Sequence, residues 1–128
     1  MRNLLLDTCT FLWVLKNESR LGRFARELIV DEKNQIFISA ATAWEIAIKR
    51  AMGKLIAPAS IDAIIDEKGF SRLPITVAHA DCVGRLPDYH RDPFDRMLVA
   101  QAQFESLEIL SPDKLIARYP VRIVDAEK

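Results

Sequence analysis

Four acidic residues lie beside the predicted ends of short apolar runs or in the first turns of predicted helices. They are Asp7, Glu45, Asp95 and Asp113. The carboxyl ends of parallel strands meet at one edge of an α/β sheet, which is where such folds bind their ligands. We therefore expect these four carboxylates, although far apart in the chain, to lie close together at that edge.

Carboxylates gathered in this way repel one another unless a cation lies among them. Two charges about 4 Å apart interact by roughly 4 kcal/mol at an effective dielectric constant of about 20. Ligand sets made only of oxygen favour Mg²⁺ or Mn²⁺ over zinc or copper. Because Mg²⁺ usually binds phosphate oxygens of a substrate as well as a few carboxylates, the cluster predicts phosphodiester chemistry.

Each acid also has an interpretation that requires no metal. Asp7 can cap the helix that follows it, and Glu45 can form a surface ion pair with Lys49 one turn later. The run Asp92–Asp95 is a helix start, with an acidic N-cap, a proline at the first helical position and a capping-box spacing. These alternatives remain open on spacing alone, and a cap and a metal ligand can be the same residue.

Short apolar runs alternate with helical patterns along the chain, which predicts an α/β domain with a mainly parallel sheet. The predicted strands are Leu4–Leu6, Ile36–Ile38, Phe70–Ile75, Leu107–Leu110 and Val121–Val124. The predicted helices follow Asp7, span Arg20–Asp31, Ala40–Met52 and Thr76–Leu86, run from Ser60 to Gly69, and begin at Pro93. We expect residues 1–128 to form one domain.

Helical spacing also predicts which side chains face the core in two of these helices. The predicted inward residues are Ala41, Trp44, Ile48 and Met52 in one helix, and Val77, Ala80 and Val83 in the other. Such stripes are typical of helices that pack on a sheet.

Composition argues against several classes of protein. The 18 basic residues balance 18 acidic ones, so a general polyanion-binding protein is not expected. Cys9 and Cys82 are too few for a disulfide framework and are predicted to be core thiols, while His79 and His90 lack the spacing of a zinc site.

No apolar run approaches the ~18 residues of a membrane span and no targeting leader is visible, so we expect a cytoplasmic protein with no membrane partner.

Several segments resemble the PIN-domain ribonucleases and, more narrowly, the VapC toxins of bacterial toxin–antitoxin pairs. They are Leu4–Thr8, Ile38–Ala40, Trp44–Ile46, Gly53–Leu55 and His90–Arg96. The resemblance extends from about Leu4 to Val124, with the motifs in the family's order. It implies a PIN-like, Rossmann-like domain in which helices flank a short, mainly parallel central sheet.

The resemblance further implies an endoribonuclease that depends on Mg²⁺ or Mn²⁺. Such an enzyme cleaves RNA phosphodiester bonds with a metal-activated water, which leaves a 5′-phosphate and a 3′-hydroxyl. It also implies a cognate antitoxin of the VapB type that neutralises the toxin, and a homodimer.

The resemblance assigns a role to each acid. Asp7 and Asp95 match the family's principal metal ligands, and Glu45 matches a helix-borne acid that completes the pocket. Asp113 matches a fourth acid, but it follows Ser111 and Pro112 where related chains often have a threonine and a basic residue. The Pro112 backbone can therefore displace its carboxylate.

Cations near the acidic cluster are candidates for contact with the RNA backbone. They are Lys49, Arg50, Arg91 and Arg96. Each of them has the alternative of being an ordinary solvated surface residue.

Other strand-end aspartate chemistries fit less well. A phosphotransferase of the haloacid-dehalogenase type needs a second aspartate two residues after the first, where this chain has Cys9. A response-regulator receiver needs an acidic doublet near the end of the first strand, which Leu6–Thr8 lacks. The remaining alternative is a non-catalytic α/β protein-interaction module in which the acids only cap helices, and its melting temperature would not rise with Mn²⁺.

Overall fold

Five short strands form the centre of the protein in a computed structural model that describes residues 1–128. They are β1 (Asn3–Leu6), β2 (Gln35–Ser39), β3 (Ser71–Leu73), β4 (Glu108–Ser111) and β5 (Ile123–Asp125). All neighbouring strands pair in parallel, in the order β3-β2-β1-β4-β5. The chain leaves β1 in one direction and returns to its other side at β4, which creates the crevice where open α/β sheets bind ligands. The parallel sheet and all five predicted strands are confirmed, although β3 is shorter than predicted and β5 begins two residues later than predicted.

Six helices flank this sheet. They are α1 (Thr8–Lys16), α2 (Arg23–Val30), α3 (Ala40–Ala51), α4 (Ile61–Lys68), α5 (Val77–Gly84) and α6 (Pro93–Glu105), with a 3₁₀ turn at Ile116–Arg118. None of these helices has the length and apolar character that crossing a bilayer requires. Strand β1 is buried on both faces because Leu4 and Leu6 pack in one core cluster and Leu5 packs in the other.

The helix starts next to the predicted site form as expected. Asp7 is the N-cap of α1, Ser39 is the N-cap of α3, and Asp92 is the N-cap of α6 with Pro93 at its first position. Helix α3 ends just before Gly53, whose φ of +69° is a left-handed conformation that favours glycine. These caps fix the point at which each helix leaves the sheet edge.

The predicted inward face of α3 is wrong in part. Trp44 is 60% exposed and Met52 is 57% exposed, whereas Thr42, Glu45 and Ile46 are buried. Thr42 is satisfied by a hydrogen bond of 3.0 Å between its hydroxyl and that of Thr8. The inward stripe of α3 is therefore partly polar, and apolar spacing alone does not detect it.

Two further predictions about burial are wrong. On α5, Val77 is 80% exposed and Ala80 is exposed, while His79 points inward and is 1% exposed. His79 is accommodated there because Glu105 lies 2.8 Å from its Nε2 atom. Neither cysteine is a core thiol, since Cys9 is exposed at the start of α1 and Cys82 is only partly buried.

Candidate metal centre

A cavity of about 480 Å³ lies at the carboxyl end of β1. All four predicted acids line it, namely Asp7, Glu45, Asp95 and Asp113. They reach it from the start of α1, the second turn of α3, the first turn of α6 and the loop after β4. The sheet edge thus gathers acids from four distant parts of the chain, as the spacing predicts.

Asp7 is the most deeply buried of these acids, with 2% of the residue exposed. Its Oδ1 accepts a hydrogen bond from the backbone N–H of Thr10 at 2.8 Å, and its Oδ2 accepts one from the Ser111 hydroxyl at 2.5 Å. Burial raises the pKa of Asp7, although these hydrogen bonds oppose the rise. Asp7 is therefore both the predicted helix cap and a fixed carboxylate at the cavity.

The sequence did not predict that Ser111 is a hydrogen-bond partner of Asp7. It is the last residue of β4, and β4 lies beside β1 in the sheet. Its position directly after a predicted strand was the only indication of this role in the sequence. The hydrogen bond itself depends on the order of the strands in the sheet, which spacing along the chain does not give.

Glu45 has an oxygen atom for which the chain provides no partner. Its Oε2 accepts a hydrogen bond from Lys49 Nζ at 2.7 Å, which is the predicted i, i+4 pair. Its Oε1 is buried and makes no hydrogen bond. Leaving a buried charged acceptor without a partner is unfavourable, so this atom indicates a ligand that the protein alone does not supply.

Asp95 and Asp113 meet through His90. The His90 Nε2 atom lies 3.1 Å from Asp95 Oδ2 and 2.9 Å from Asp113 Oδ2. The ligand atoms of these three residues all lie within 4.8 Å of one another. The sequence placed His90 beside the helix-start motif without assigning it a role.

The surroundings of Asp95 disfavour its ionised form. Burial and the nearby charges of Asp92 and Asp7 raise the pKa of Asp95 to about 7, against a usual value of 3.8, while His90 opposes the rise. Asp92 itself accepts hydrogen bonds from the N–H groups of Phe94 and Asp95, at 2.8 and 3.1 Å. The N-cap therefore directs the first turn of α6, and with it Asp95, toward the cavity.

The four cations considered for RNA contact lie in different environments. Lys49 lines the cavity, whereas Arg50 and Arg91 are exposed and do not line it. The guanidinium of Arg96 donates to the carbonyl groups of Val83 and Pro87 at 3.2 and 3.0 Å, so it is bound to the protein's own backbone. Arg20, which sequence reasoning did not single out, also lines the cavity.

A scan against protein families finds that residues 4–122 match the family described as PIN domain. The chain belongs to the PIN domain family. The matched range contains all four acids of the cavity together with His90 and Ser111. No curated protein matches this sequence.

Solved structures share the fold of this PIN domain over nearly its whole length. VapBC-1 from nontypeable Haemophilus influenzae is 17% identical to this chain and superposes with a TM-score of 0.70. The alignment covers 98% of this chain and 99% of that chain. A DNA-bound VapBC from Salmonella typhimurium is 21% identical, with a TM-score of 0.67 and an alignment that covers 98% of each chain. FitAcB from Neisseria gonorrhoeae is 19% identical, with a TM-score of 0.67 and an alignment that covers 96% of this chain and 97% of that chain. At these identities the likeness shows a common fold.

The residues of this PIN domain fit a hard divalent cation. The available donors are carboxylate oxygens, which Mg²⁺ and Mn²⁺ prefer. Glu45 Oε1 has no partner, and burial, with a smaller contribution from neighbouring acids, raises the pKa values of Asp7 and Asp95, so a cation would favour the ionised form of these carboxylates. Asp7, Glu45 and Asp95 are therefore the candidate ligands, with Asp113 beside them.

Proposed function

We propose that this protein is a VapC-type toxin, an endoribonuclease that depends on Mg²⁺ or Mn²⁺. The observation that carries the proposal is the buried, partnerless Glu45 Oε1 in a cavity that Asp7, Asp95 and Asp113 also line. Membership of the PIN domain family and the likeness to VapBC structures support it. A protein-interaction module would account for the capping by Asp7 and Asp92, but it leaves Glu45 Oε1 unexplained.

The chain's own residues account for how the site works. The Thr10 N–H and the Ser111 hydroxyl hold the Asp7 carboxylate in a fixed orientation, and the Asp92 cap fixes the turn of α6 that carries Asp95, so part of the site is ordered before an ion binds. When bound, the cation lowers the pKa of a water and offsets the negative charge of the phosphate group. Lys49 already lies at the cavity, where its ammonium can contact a phosphate of the substrate strand.

Cleavage by water, rather than by the ribose 2′-hydroxyl, predicts products with a 5′-phosphate and a 3′-hydroxyl. The test is incubation of the purified chain with total cellular RNA in Mg²⁺, in Mn²⁺ or in EDTA, followed by mapping of the ends. We expect cleavage with either ion and none in EDTA. Asp95→Asn should abolish cleavage, whereas Asp81→Asn, which changes an exposed acid outside the cavity, should not. Equal cleavage by wild type and Asp95→Asn would contradict the proposal.

We also infer an antitoxin partner of the VapB type and a homodimer. The solved structures with this fold include several described as VapBC, which supports the first inference. The exposed apolar side chains of Trp44 and Met52 support the second.

Expression in bacteria tests the toxin assignment directly. We expect induction of the chain alone to arrest growth, and Asp95→Asn to relieve the arrest at equal protein level. Normal growth with the wild-type chain folded and free of a partner would contradict a toxin role, even if RNA were cleaved in vitro.

A further inference from the structure

Arg20 is a cation at the cavity that the proposed function does not use. Arg20 and Lys49 supply the only positively charged side chains among the residues that line this cavity. The ammonium of Lys49 is already bound to Glu45 at 2.7 Å. The Arg20 side chain is 62% exposed, and its ion pair with Glu127 is long, with 3.7 Å between Nη2 and Oε1. An exposed pair of this kind contributes little energy, so the guanidinium is available to another anion.

The loop that carries Arg20 is tied to the rest of the protein. It connects α1 to α2, and the guanidinium of Arg26 in α2 donates to two of its backbone carbonyls. These are the carbonyl of Glu18, at 2.5 Å, and the carbonyl of Leu21, at 3.0 Å. Leu21 itself is buried. The backbone at Arg20 is therefore held on both sides before any ligand binds.

An aromatic ring positions the guanidinium of Arg20. Its Cζ atom lies over the indole of Trp13, 4.8 Å from the ring centroid. Trp13 is buried and lines the same cavity. The separation between Arg20 and Glu127 exceeds the length of a hydrogen bond, so this pair leaves the N–H donors of Arg20 available. Those donors form a planar fork that matches two oxygens of a phosphate group.

Glu127 lies at the cavity on a segment that packs against the same loop. The N–H of Gly22 donates to the carbonyl of Ala126 at 2.8 Å. The two backbones approach so closely that a Cβ at Gly22 would lie 2.1 Å from the carbonyl carbon of Lys128. Only glycine fits there, so backbone packing, rather than the ion pair itself, places Glu127 beside Arg20.

We propose that Arg20 binds a backbone phosphate of the RNA strand beside the metal pocket, and that Glu127 pairs with Arg20 only while RNA is absent. The phosphate displaces Glu127 because it can accept two N–H bonds from the guanidinium, whereas Glu127 accepts none. Glu127 therefore lowers the affinity for RNA without taking part in cleavage. This inference rests on the proposed function, because it takes RNA to be the substrate of the pocket.

Binding of single-stranded RNA tests the inference without turnover. The full chain with Asp95→Asn, which is expected not to cleave, is the parent protein. It is titrated in Mg²⁺ against a fluorescein-labelled single-stranded RNA of mixed sequence, and fluorescence anisotropy gives the Kd. We expect Arg20→Gln to weaken binding about tenfold and Glu127→Gln to tighten it about threefold. With Arg20→Gln present, Glu127→Gln should have little effect, because it acts through Arg20.

The exposed pair of Arg23 and Glu27 on α2 is a matched control. Its Nε and Oε1 atoms lie 3.5 Å apart, and neither residue lines the cavity. Arg23→Gln and Glu27→Gln make the same changes of charge, and we expect neither to change the Kd by more than about twofold. Arg20→Gln should also reduce the slope of log Kd against log salt concentration by about 0.7, the value for one phosphate contact on a single strand. The slope of the control variants should stay that of the parent.

The outcomes separate this inference from the nuclease assignment. Unchanged RNA binding by Arg20→Gln, an equal loss in Arg23→Gln, or no binding by the parent would overturn the role of Arg20. A full gain from Glu127→Gln in the presence of Arg20→Gln would show that Glu127 repels RNA directly, which would overturn its pairing role. None of these results alters cleavage by the wild type. A wild type that binds RNA through Arg20 but cleaves none in Mg²⁺ or Mn²⁺ would instead contradict the nuclease assignment alone.

Cleavage kinetics in the otherwise wild-type chain give a second readout. Arg20→Gln should raise the KM for RNA about tenfold and leave kcat nearly unchanged, because a contact to a phosphate that does not react is equally strong in the ground and transition states. Glu127→Gln should lower the KM. A loss confined to kcat in Arg20→Gln would place Arg20 at the reacting phosphate and contradict its role in binding the strand.

Discussion

Asp7 and Asp95 each occupy a place where an ionised carboxylate is disfavoured. Burial is the main cause of the raised pKa for both residues, and neighbouring acids add to it. Without a cation, the folded chain therefore holds negative charge that the unfolded chain would expose to water. Metal binding should relieve this cost, so stability and metal affinity are linked at these two side chains.

Removing one of these charges should stabilise the metal-free protein. Asp7→Asn keeps a carbonyl oxygen for the Thr10 N–H and places an amide beside Ser111, so its hydrogen bonds can be retained. We expect a gain of about 1 kcal/mol, or roughly 4 °C in melting temperature for a domain of this size, in EDTA. Thermal unfolding checks this against Asp81→Asn, which should change nothing. A less stable Asp7→Asn protein would show that charge is not the dominant cost at this position.

The pH dependence of the metal-free protein should follow the same carboxylates. The pKa of Asp95 is about 7 in the folded protein and near 3.8 when the chain is unfolded, so the folded state binds the proton more tightly. Stability from this group is therefore greatest below about pH 4 and is lost as the pH rises through about 7, and Asp7 acts in the same direction. Urea unfolding in EDTA across this range measures the effect.

Two comparisons control the pH experiment. Asp95→Asn should flatten the profile, because it removes the group that titrates near neutral pH. Saturating Mg²⁺ should raise stability most at the alkaline end, where the carboxylates are ionised and bind the ion. A wild-type profile in EDTA that rises between about pH 5 and about pH 7 would contradict this account.

The sequence predicted the acids better than their partners. Local sequence patterns, namely apolar runs, capping residues and prolines, predict where strands end and helices begin. These patterns were enough to place four acids at one sheet edge: Asp7, Glu45, Asp95 and Asp113. The partners Ser111 and His90 are different, since their roles depend on the order of strands in the sheet and on the path of the loop before α6. Neither is visible from spacing along the chain.

The loop before α6 depends on Arg96, which sequence reasoning placed among the RNA-contacting cations. Its guanidinium donates to the carbonyl of Val83 in α5, to that of Pro87 in the loop, and to the Tyr119 hydroxyl at 3.2 Å. Lysine keeps the charge but has a single nitrogen, so it cannot reach all of these acceptors. Helix α6, the loop and His90 are therefore tied together by this one side chain.

We expect Arg96→Lys to lower the free energy of unfolding by about 1–3 kcal/mol, because carbonyls are left without donors. Arg91→Lys is the matched control, since Arg91 is exposed, and it should have no effect on stability. Chemical unfolding of both variants distinguishes the roles. Unchanged stability of Arg96→Lys, together with weaker RNA binding, would instead support contact with RNA.

The helices also show why apolar spacing misjudges orientation. In α3 and α5, polar residues that are paired within the protein face inward, as Thr42 and His79 do, while Trp44 and Val77 face outward. A hydrogen bond makes a polar residue compatible with burial, and that bond is formed with another element. The existence and bounds of these helices were predictable, but their rotation about their own axes was not.

The exposed Trp44 side chain is a candidate contact at the scale of the whole molecule. Trp44 packs edge-on against Phe94, with ring centroids 5.1 Å apart, and both line an apolar cavity of about 240 Å³. Trp44 nevertheless remains 60% exposed. Trp44→Glu should therefore disrupt the proposed homodimer, because a charge would be buried there without a partner.

Sedimentation of the purified chain tests this prediction. We expect a dimer for the wild type and a monomer for Trp44→Glu, with the melting temperature of the fold nearly unchanged. Val77→Glu, at another exposed apolar residue, shows whether the effect is specific to the Trp44 surface. A wild-type monomer, or a dimer that Trp44→Glu leaves intact, would contradict this assignment of the interface.

The parallel sheet has a consequence for the order in which the protein is made. Asp7 leaves the ribosome before Ser111, to which it is hydrogen-bonded and which follows 104 residues later. Strand β1 cannot pair with β4, and Asp113 cannot reach His90, until the chain has been translated through residue 113. A nascent or truncated chain therefore has no complete pocket. For a protein proposed to cut RNA, cleavage is therefore expected to begin only after β4 and Asp113 have joined the fold.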